Sequence, residues 1–548
     1  MPTSPPRTSR PARRRTTTVA AALSALALLT ACAGPPRGTD PADLRLSVTT
    51  PAARGELDSL TWALYAEPPT LDPTMAFDYP QNTVLANVCE SLMTWTPRLT
   101  VEPGLARAVS HPDATTWVYD LRPGVRFHNG GEMTADDVVF SLRRQMDPAN
   151  AAAWAQVFRN VASVTADGPL RVTVRLTRPD SQFPQYMATA AGVVTSRAGV
   201  EAAGEDYGTS GGLACTGPFE LTAWDKGQSL RLTRFAGYRG TPAKARTVTF
   251  RVLADPSART NAMLSGEVDG SFLVPSESLA RLRASGAGTL WYGEGLSTVN
   301  LAVTDTSGPL GDPRVRRALS LALDRDGFVR AGLGGAGTVT TAPTTRAAWA
   351  AAPAAARERA FAGLPAPGRD LAEARRLVAE AGAKGGRITV ATSPIGQDVS
   401  LLATAVQAAG TSIGLDVRLR TIAPNAFTAL FTDPAAREGI DMFPLTYYQS
   451  ITDPLDLLGN FRGGAYLNFS GHTDPAYDRL VDRAGATADP AERAGIEADL
   501  HRRAARDLLW IPVAEWPTSL FLGKRVTGAA AGISHLYRPW AADIGAAP

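Results

Sequence analysis

The chain has 548 residues, 44% apolar and 20% charged, which is enough for a large core and too long for one domain of ordinary size. A wholly disordered or fibrous protein is excluded. The formal charge is +3, but Arg7, Arg10, Arg13, Arg14 and Arg15 all precede residue 32, and the remainder carries 50 basic against 52 acidic side chains, which offers no basic surface for nucleic acid.

The arginine-bearing start runs into the 11-residue apolar stretch 19–29. That length suits the core of a signal peptide and is too short to cross a bilayer as a helix. Leu29-Thr-Ala-Cys32 follows at once and resembles a bacterial lipobox, in which cleavage before the cysteine exposes a residue that is then acylated. The expectation is a signal peptide over 1–31, lipid attachment at Cys32 and a Pro/Gly-containing tether over 32–55. An ordinary signal peptide with a nearby cysteine is the alternative, and Arg13-Arg14-Arg15 leaves the Sec or Tat export route open. Cys89 and Cys215 remain, either bridged or as two buried free thiols, and export to an oxidising compartment favours the bridge.

Beyond the tether, short alternating runs interleave with helical ones. Period-two alternation predicts strands at 60–65, 117–121, 170–176, 230–234 and 248–252. Asn129-Gly130 is a hairpin signal after residues 125–128. Thr134 with Asp137 three residues on forms a capping-box pattern that opens a helix. Helices are expected over 81–93, 313–325 and 370–383. The order 388–391, 398–409, 415–422 gives a strand–helix–strand unit. The class is α/β with mixed sheets in more than one lobe.

At this point a resemblance emerges. The stretch 115–130, Thr115-Thr-Trp-Val-Tyr-Asp-Leu-Arg-Pro-Gly-Val-Arg-Phe-His-Asn-Gly130, continuing through Met133-Thr-Ala-Asp-Asp-Val-Val-Phe-Ser141, closely resembles the signature of the extracellular solute-binding proteins of family 5, the peptide- and nickel-type receptors of ABC importers. Pro69-Thr-Leu-Asp-Pro73, Cys89-Glu-Ser-Leu92, Pro103-Gly-Leu-Ala106, Thr216-Gly-Pro-Phe219, Gly266-Glu-Val-Asp269, Asp312-Pro-Arg-Val-Arg-Arg-Ala-Leu319, Ala379-Glu-Ala-Gly382 and Asp453-Pro454 stand in the same order. The resemblance spans about 57–540. It implies a two-lobed Venus flytrap of the periplasmic-binding-protein type, with lobe I over 56–294 and 512–548, lobe II over 295–511, and two crossover strands near 297–301 and 510–512. It also implies a monomeric receptor on the extracytoplasmic face of the cell membrane. Such a receptor would capture a small solute, a peptide by preference, and deliver it to permease subunits driven by cytosolic ATPases.

The resemblance places Met75, Phe77, Tyr79, Asn82, Thr216, Gly217, Tyr447, Tyr448, Ser450 and Asp453 at the ligand. Tyrosine pairs such as Tyr447-Tyr448 are as often half-buried packing. Peptide-binding members carry an aspartate for the ligand's α-ammonium three residues before the Asp-Pro pair, and here that position is Ser450. A neutral hydroxyl does not replace a charge-assisted hydrogen bond worth about 1.5–3 kcal/mol. A differently bound peptide, an oligosaccharide, a metal chelate or an opine-like amine therefore stay open as ligands, as does a non-transport lipoprotein role. The five histidines show no ligand spacing, so no direct metal site is expected, and no cofactor. His128 is expected to be structural. There is no Gly-x-Ser-x-Gly elbow, His-Glu-x-x-His or phosphate loop, and Gly332-Leu-Gly-Gly-Ala-Gly337 follows a helix rather than a strand, so no enzyme is expected. Cys32→Ala should leave the protein unprocessed or release it to the medium, as fractionation and mass spectrometry of the N-terminus would reveal. A processed, acylated terminus in that variant would contradict the anchor.

Overall fold

A computed structural model describes residues 44–548; the signal peptide, Cys32 and most of the tether lie outside the described residues. The architecture follows from one 11-stranded mixed sheet that runs through the whole molecule. Its first half is ordered Phe219–Asp225, Ser229–Arg234, Ala245–Val252, Leu57–Leu64, Gly270–Phe272, and its second Met442–Tyr448, Arg387–Thr392, Asp416–Thr421. Between them lie two long antiparallel strands, Gly288–Val303 and Trp510–Gly523, and Thr338–Val339 pairs with the latter. Parallel pairing is confined to Leu57–Leu64 with its two neighbours and Arg387–Thr392 with its two. A separate antiparallel sheet of four strands is ordered Ala106–Asp113, Thr116–Leu121, Arg171–Leu176, Val161–Ala166.

Each half has its own core. In the first, Trp62 and Trp540 approach to 4.5 Å between ring centroids, with Phe250 and Phe272 beside them. In the second, the helices Pro313–Ala322, Leu371–Glu380 and Gln397–Ser412 bury Val315, Leu319, Val378, Leu402 and Val406 on one face of the sheet. On the other face, Phe443, Phe461 and Trp510 pack with residues of Pro475–Ala486 and Pro490–Asp507. A further apolar group draws on both halves: Trp95, Leu99, Leu296, Trp349, Ile451 and Tyr537.

The long ladder is irregular at two places, a one-residue bulge at Val513, between the pairs Val299–Ala514 and Asn300–Pro512, and a wider break near its middle. Gly293 pairs with Thr518 and Ser297 with Trp516, so Glu294, Gly295 and Leu296 oppose Pro517 alone. Proline cannot donate to a ladder, and a multi-residue bulge bends and twists the strand it interrupts. Glycine is needed here. A Cβ on Gly293 would lie 2.3 Å from the Ala531 carbonyl carbon, and one on Gly295 would lie 2.5 Å from the Trp516 oxygen.

Several motif residues prove to be scaffold. Asp72 caps the turn Pro73–Met75 and pairs with Arg144 at 2.6 Å. Asp269 accepts from the Thr61 amide at 2.8 Å and pairs with Arg525. Asp137 accepts from both Thr134 N–H and Thr134 Oγ1. His128 is fixed by the Gly217 carbonyl 3.0 Å from its Nε2, in the structural role expected of it.

Some boundaries differ from expectation. The helix expected over 81–93 is Tyr79–Val88, because Asp78 caps it early and Cys89 leaves it in extended conformation. The helix expected over 313–325 stops at Ala322, and a second, Arg325–Gly332, is capped by Asp324. The Asn129-Gly130 turn forms, with Gly130 at φ +87°, and closes a short hairpin in which Arg126 bridges Glu132, Phe127 N–H donates to the Gly131 carbonyl and Met133 N–H to the Val125 carbonyl, both at 2.8 Å. The local turn chemistry was sound, and a tertiary contact from His128 N–H to the Cys215 carbonyl flanks it.

Cys89 and Cys215 are bridged. The bond ties the end of Tyr79–Val88 to the Thr216-Gly217 turn, and it closes a loop that would otherwise raise the entropy of the unfolded chain. Loss of the bridge by Cys89→Ala with Cys215→Ala should lower stability by about 2–4 kcal/mol. Denatured but unreduced protein should resist alkylation at both positions, and labelling there would refute the bridge.

Candidate functional site

The space between the two halves is bordered by the start of the helix Tyr79–Val88, the broken ladder, and the end of the strand Met442–Tyr448 with the segment after it. Asp78, the helix N-cap, accepts from Tyr79 N–H at 2.7 Å. The adjacent Tyr79 hydroxyl lies 3.3 Å from Ser297 Oγ, immediately past the ladder break. Tyr448 reaches across from the other half: its hydroxyl donates to the Phe77 carbonyl, and its ring lies 4.7 Å from that of Tyr79. Tyr537 belongs to the same apolar group, against which Tyr79 and Tyr448 pack. Burial pushes the phenols of Tyr65, Tyr79, Tyr448 and Tyr537 above their usual range, so all four are neutral.

Ser450 does not stand alone. Its N–H donates to Asp456 Oδ2 at 3.0 Å, and the Tyr186 hydroxyl from the other half donates to Asp456 Oδ1 at 2.5 Å. The Asp456 carboxylate thus reaches the position of Ser450 from the next turn of chain. Sequence reasoning missed it because it was sought before the Asp-Pro pair. Asp453-Pro-Leu-Asp456 carried the signal, a second acid one helical turn on.

Asp453 itself is 1% exposed and held on all sides. It accepts from Leu455 N–H at 2.9 Å, lies 3.7 Å from the Arg493 guanidinium, and faces the Gln182 and Gln185 amides across the gap at 3.5 and 3.4 Å. Glu497 shares Arg493 with it, and burial raises both carboxyls, Glu497 well above its ordinary value. This cluster fastens the halves together beside Tyr186.

The other expected residues are scattered. Met75 and Phe77 are exposed at 36% and 58%, on the lip of the gap. Asn82 is buried and spends its amide on the Asp78 carbonyl at 3.1 Å. Thr216 and Gly217 lie against the disulfide within the first half, where Gly217 N–H donates to the Val88 carbonyl at 2.9 Å and a Cβ would meet that oxygen at 2.5 Å. Tyr447 points away from Tyr448, with its hydroxyl bonded to Asn460 and its ring 5.4 Å from Trp510. Alternation along a strand sends adjacent tyrosines to opposite faces. Among the described residues no cluster of three or more metal-ligating side chains occurs, and no helix is long and apolar enough to cross a membrane.

Two sheet-built halves joined by paired crossover strands, with aromatic and acidic side chains from both meeting between them, define a two-lobed solute-binding protein. The chain matches the bacterial extracellular solute-binding proteins, family 5, over residues 100–468, and it belongs to that family. The glutathione-binding protein GsiB of Escherichia coli K12 is 26% identical over 454 residues, covering 80% of this chain and 85% of that one. Among solved structures, DppA of Helicobacter pylori in complex with peptide STSA superposes with a TM-score of 0.77 at 20% identity, over 90% of this chain and 98% of that one. AppA of Bacillus subtilis in complex with a nonapeptide gives 0.76 at 19%, over 90% and 100%. AgaA of A. tumefaciens in complex with agropinic acid gives 0.75 at 22%, over 89% and 99%. These likenesses establish the two-lobed fold.

The lobe contact carries a pH dependence. Burial, with Asp453 nearby, pushes the Asp456 carboxyl up to about 6. A carboxyl raised in the closed arrangement favours that arrangement in full below its ordinary value of about 3.9, and the benefit is lost as pH rises through about 6. Lowering the pH of ligand-free protein from about 7 to about 5 should raise the closed fraction, seen as a smaller radius of gyration in solution scattering. Asp456→Asn should flatten part of that response, and an unchanged profile in the variant would remove Asp456 as a source.

Proposed function

We propose that the protein is the lipid-anchored receptor of an ABC importer, held by Cys32 on the extracytoplasmic face of the cell membrane. It encloses a peptide or similar small solute between lobes 56–294 with 512–548 and 295–511, and presents it to a permease driven by cytosolic ATPases. The observation that carries this reading is the meeting of Tyr79, Ser297 and Phe77 with Tyr448 across the broken ladder, because a ligand seated there touches both lobes and the joint between them. Closure is then a population shift, stabilised only by a solute that contacts both sides. The names of the relatives support peptides as the solute class, and the fold is shared with receptors solved with other solutes. Tyr79, Tyr448, Ser450 and Met75 with Phe77 are the contacts we assign to the ligand, while Thr216, Gly217 and Asn82 support that wall from behind. The receptor acts as a monomer and performs no chemistry on its cargo.

Native mass spectrometry of protein purified without refolding, followed by denaturation, tests this. A released peptide ladder or a single small solute is expected. Turnover of a released molecule, or a protein that neither carries a solute nor changes its dimensions with any peptide or amine mixture, would overturn the receptor reading.

A further inference from the structure

We infer a second ligand site, apart from the space between the halves: a cavity in the first half, behind the helix Tyr79–Val88, that takes a small monocarboxylate with an apolar body. The cavity measures about 340 Å³, in the range of sites for small organic molecules. Its walls come from that helix, the strand pair Met93–Trp95 and Val101–Pro103, residues 189–193 and 238–239, and the segment 536–539. Tyr79 at the start of the helix meets Tyr448 of the other half, whereas Leu85 and Ala86 further along it line the cavity. Three guanidinium groups converge there, Arg122, Arg239 and Arg538. Each is fixed by one bond: Arg122 Nε donates to the Gly104 carbonyl at 2.7 Å, Arg239 Nη2 to Glu90 Oε1 at 2.7 Å, and Arg538 Nη2 to Asp543 Oδ2 at 2.8 Å. Their remaining side-chain N–H groups hydrogen-bond to no described residue, although only 25% of the Arg239 side chain and 17% of that of Arg538 is exposed. Unused donors on part-buried guanidinium groups call for an acceptor, and their planar fork matches a carboxylate.

The charged walls set the charge of the ligand. Glu90 and Glu102 also line the cavity, so three cations face two acids and one positive charge is left over. A single carboxylate balances it, and a dianion overshoots. Glu90 is already engaged, its Oε1 accepting from the Tyr238 hydroxyl at 3.2 Å as well as from Arg239. Asp543 meets Arg538 from outside the cavity, where 52% of its side chain is exposed and solvent screens the pair. Between the charged groups the wall is apolar, with Leu85, Ala86, Val193, Leu536 and Pro539. A short branched chain removes that surface from water, which an inorganic anion does not. Trp95 and Tyr537 line the cavity too and belong, with Leu99, to the apolar group shared by both halves. The Leu99 carbonyl accepts from Thr452 Oγ1 of the other half at 3.4 Å. A solute here braces the surface on which the second half closes, without entering the space between them.

The test titrates protein purified without refolding with isovalerate, its neutral amide and inorganic phosphate in a calorimeter. Isovalerate should bind on the order of tenfold or more tighter than either of the others. Arg122→Gln and Arg538→Gln should each weaken isovalerate by a similar factor. Nuclear magnetic resonance of the tryptophan indole N–H groups in the unsubstituted protein locates the site, with the Trp95 signal assigned by its loss in Trp95→Phe. That signal should move on addition of isovalerate, while the signal of Trp510, in the core of the second half, stays in place. The amide or phosphate binding as tightly as isovalerate, affinity unchanged in both arginine variants, or a Trp95 signal that saturating isovalerate does not move would each overturn the assignment. So would a protein that binds none of the three probes. All of these outcomes concern the cavity behind the helix and leave the receptor reading, which rests on the space between the halves, to its own test.

Discussion

The interruption in the ladder between Gly288–Val303 and Trp510–Gly523 governs the rest of the molecule. An unbroken antiparallel pair of that length would lock both halves into one rigid sheet. Three residues facing Pro517 remove several hydrogen bonds at one place, and Gly293 and Gly295 allow the backbone to pass Ala531 and Trp516 at distances no side chain permits. On the second-lobe side the return strand is held firmly. Buried Arg325 donates to the Pro512 carbonyl from Nε at 3.1 Å and Nη2 at 2.8 Å. Freedom is thus concentrated in a few residues rather than spread along the strands.

Because Leu296 and Ser297 belong to the break or follow it directly, the joint and the contact between the two halves are the same stretch of chain. Leu296 packs with Trp95, Trp349, Ile451 and Tyr537, which come from both halves, and Ser297 meets Tyr79. A solute that displaces or reinforces these contacts changes the angle between lobes without any longer route of transmission. The second fastening, through Gln182, Gln185 and Tyr186 onto Asp453 and Asp456, lies away from the joint and gives the closed state its own polar clasp. Burial raises both its carboxyls, so the clasp weakens as Asp456 becomes charged, while Asp453 keeps Arg493 beside it.

The fold was legible in the chain to a large extent. Alternation marked the strands around 60–65, 171–176 and 248–252, since one face of each is buried and the side-chain period is two. Asp312-Pro313 and Thr134 with Asp137 announced helix starts, whose capping partners are local. What failed was of one kind. The helix end at Val88 is decided by the Cys89–Cys215 region, which brings residues more than a hundred positions apart together. Of the residues expected at the ligand, Tyr79 and Tyr448 meet, while Tyr447 turns to Trp510 and Gly217 to Val88.

The sequence by itself determined the α/β class, the family, the available cysteines and the absence of an ammonium-binding aspartate at Ser450. These rest on local periodicity, residue chemistry and short motifs, which need no knowledge of distant neighbours. Only the tertiary structure decided that Asp456 bonds the Ser450 amide and that Tyr537 packs with Tyr79 and Tyr448. Whether a buried carboxylate is paired depends on which side chains converge on it, and that convergence comes from how two lobes close over one broken ladder.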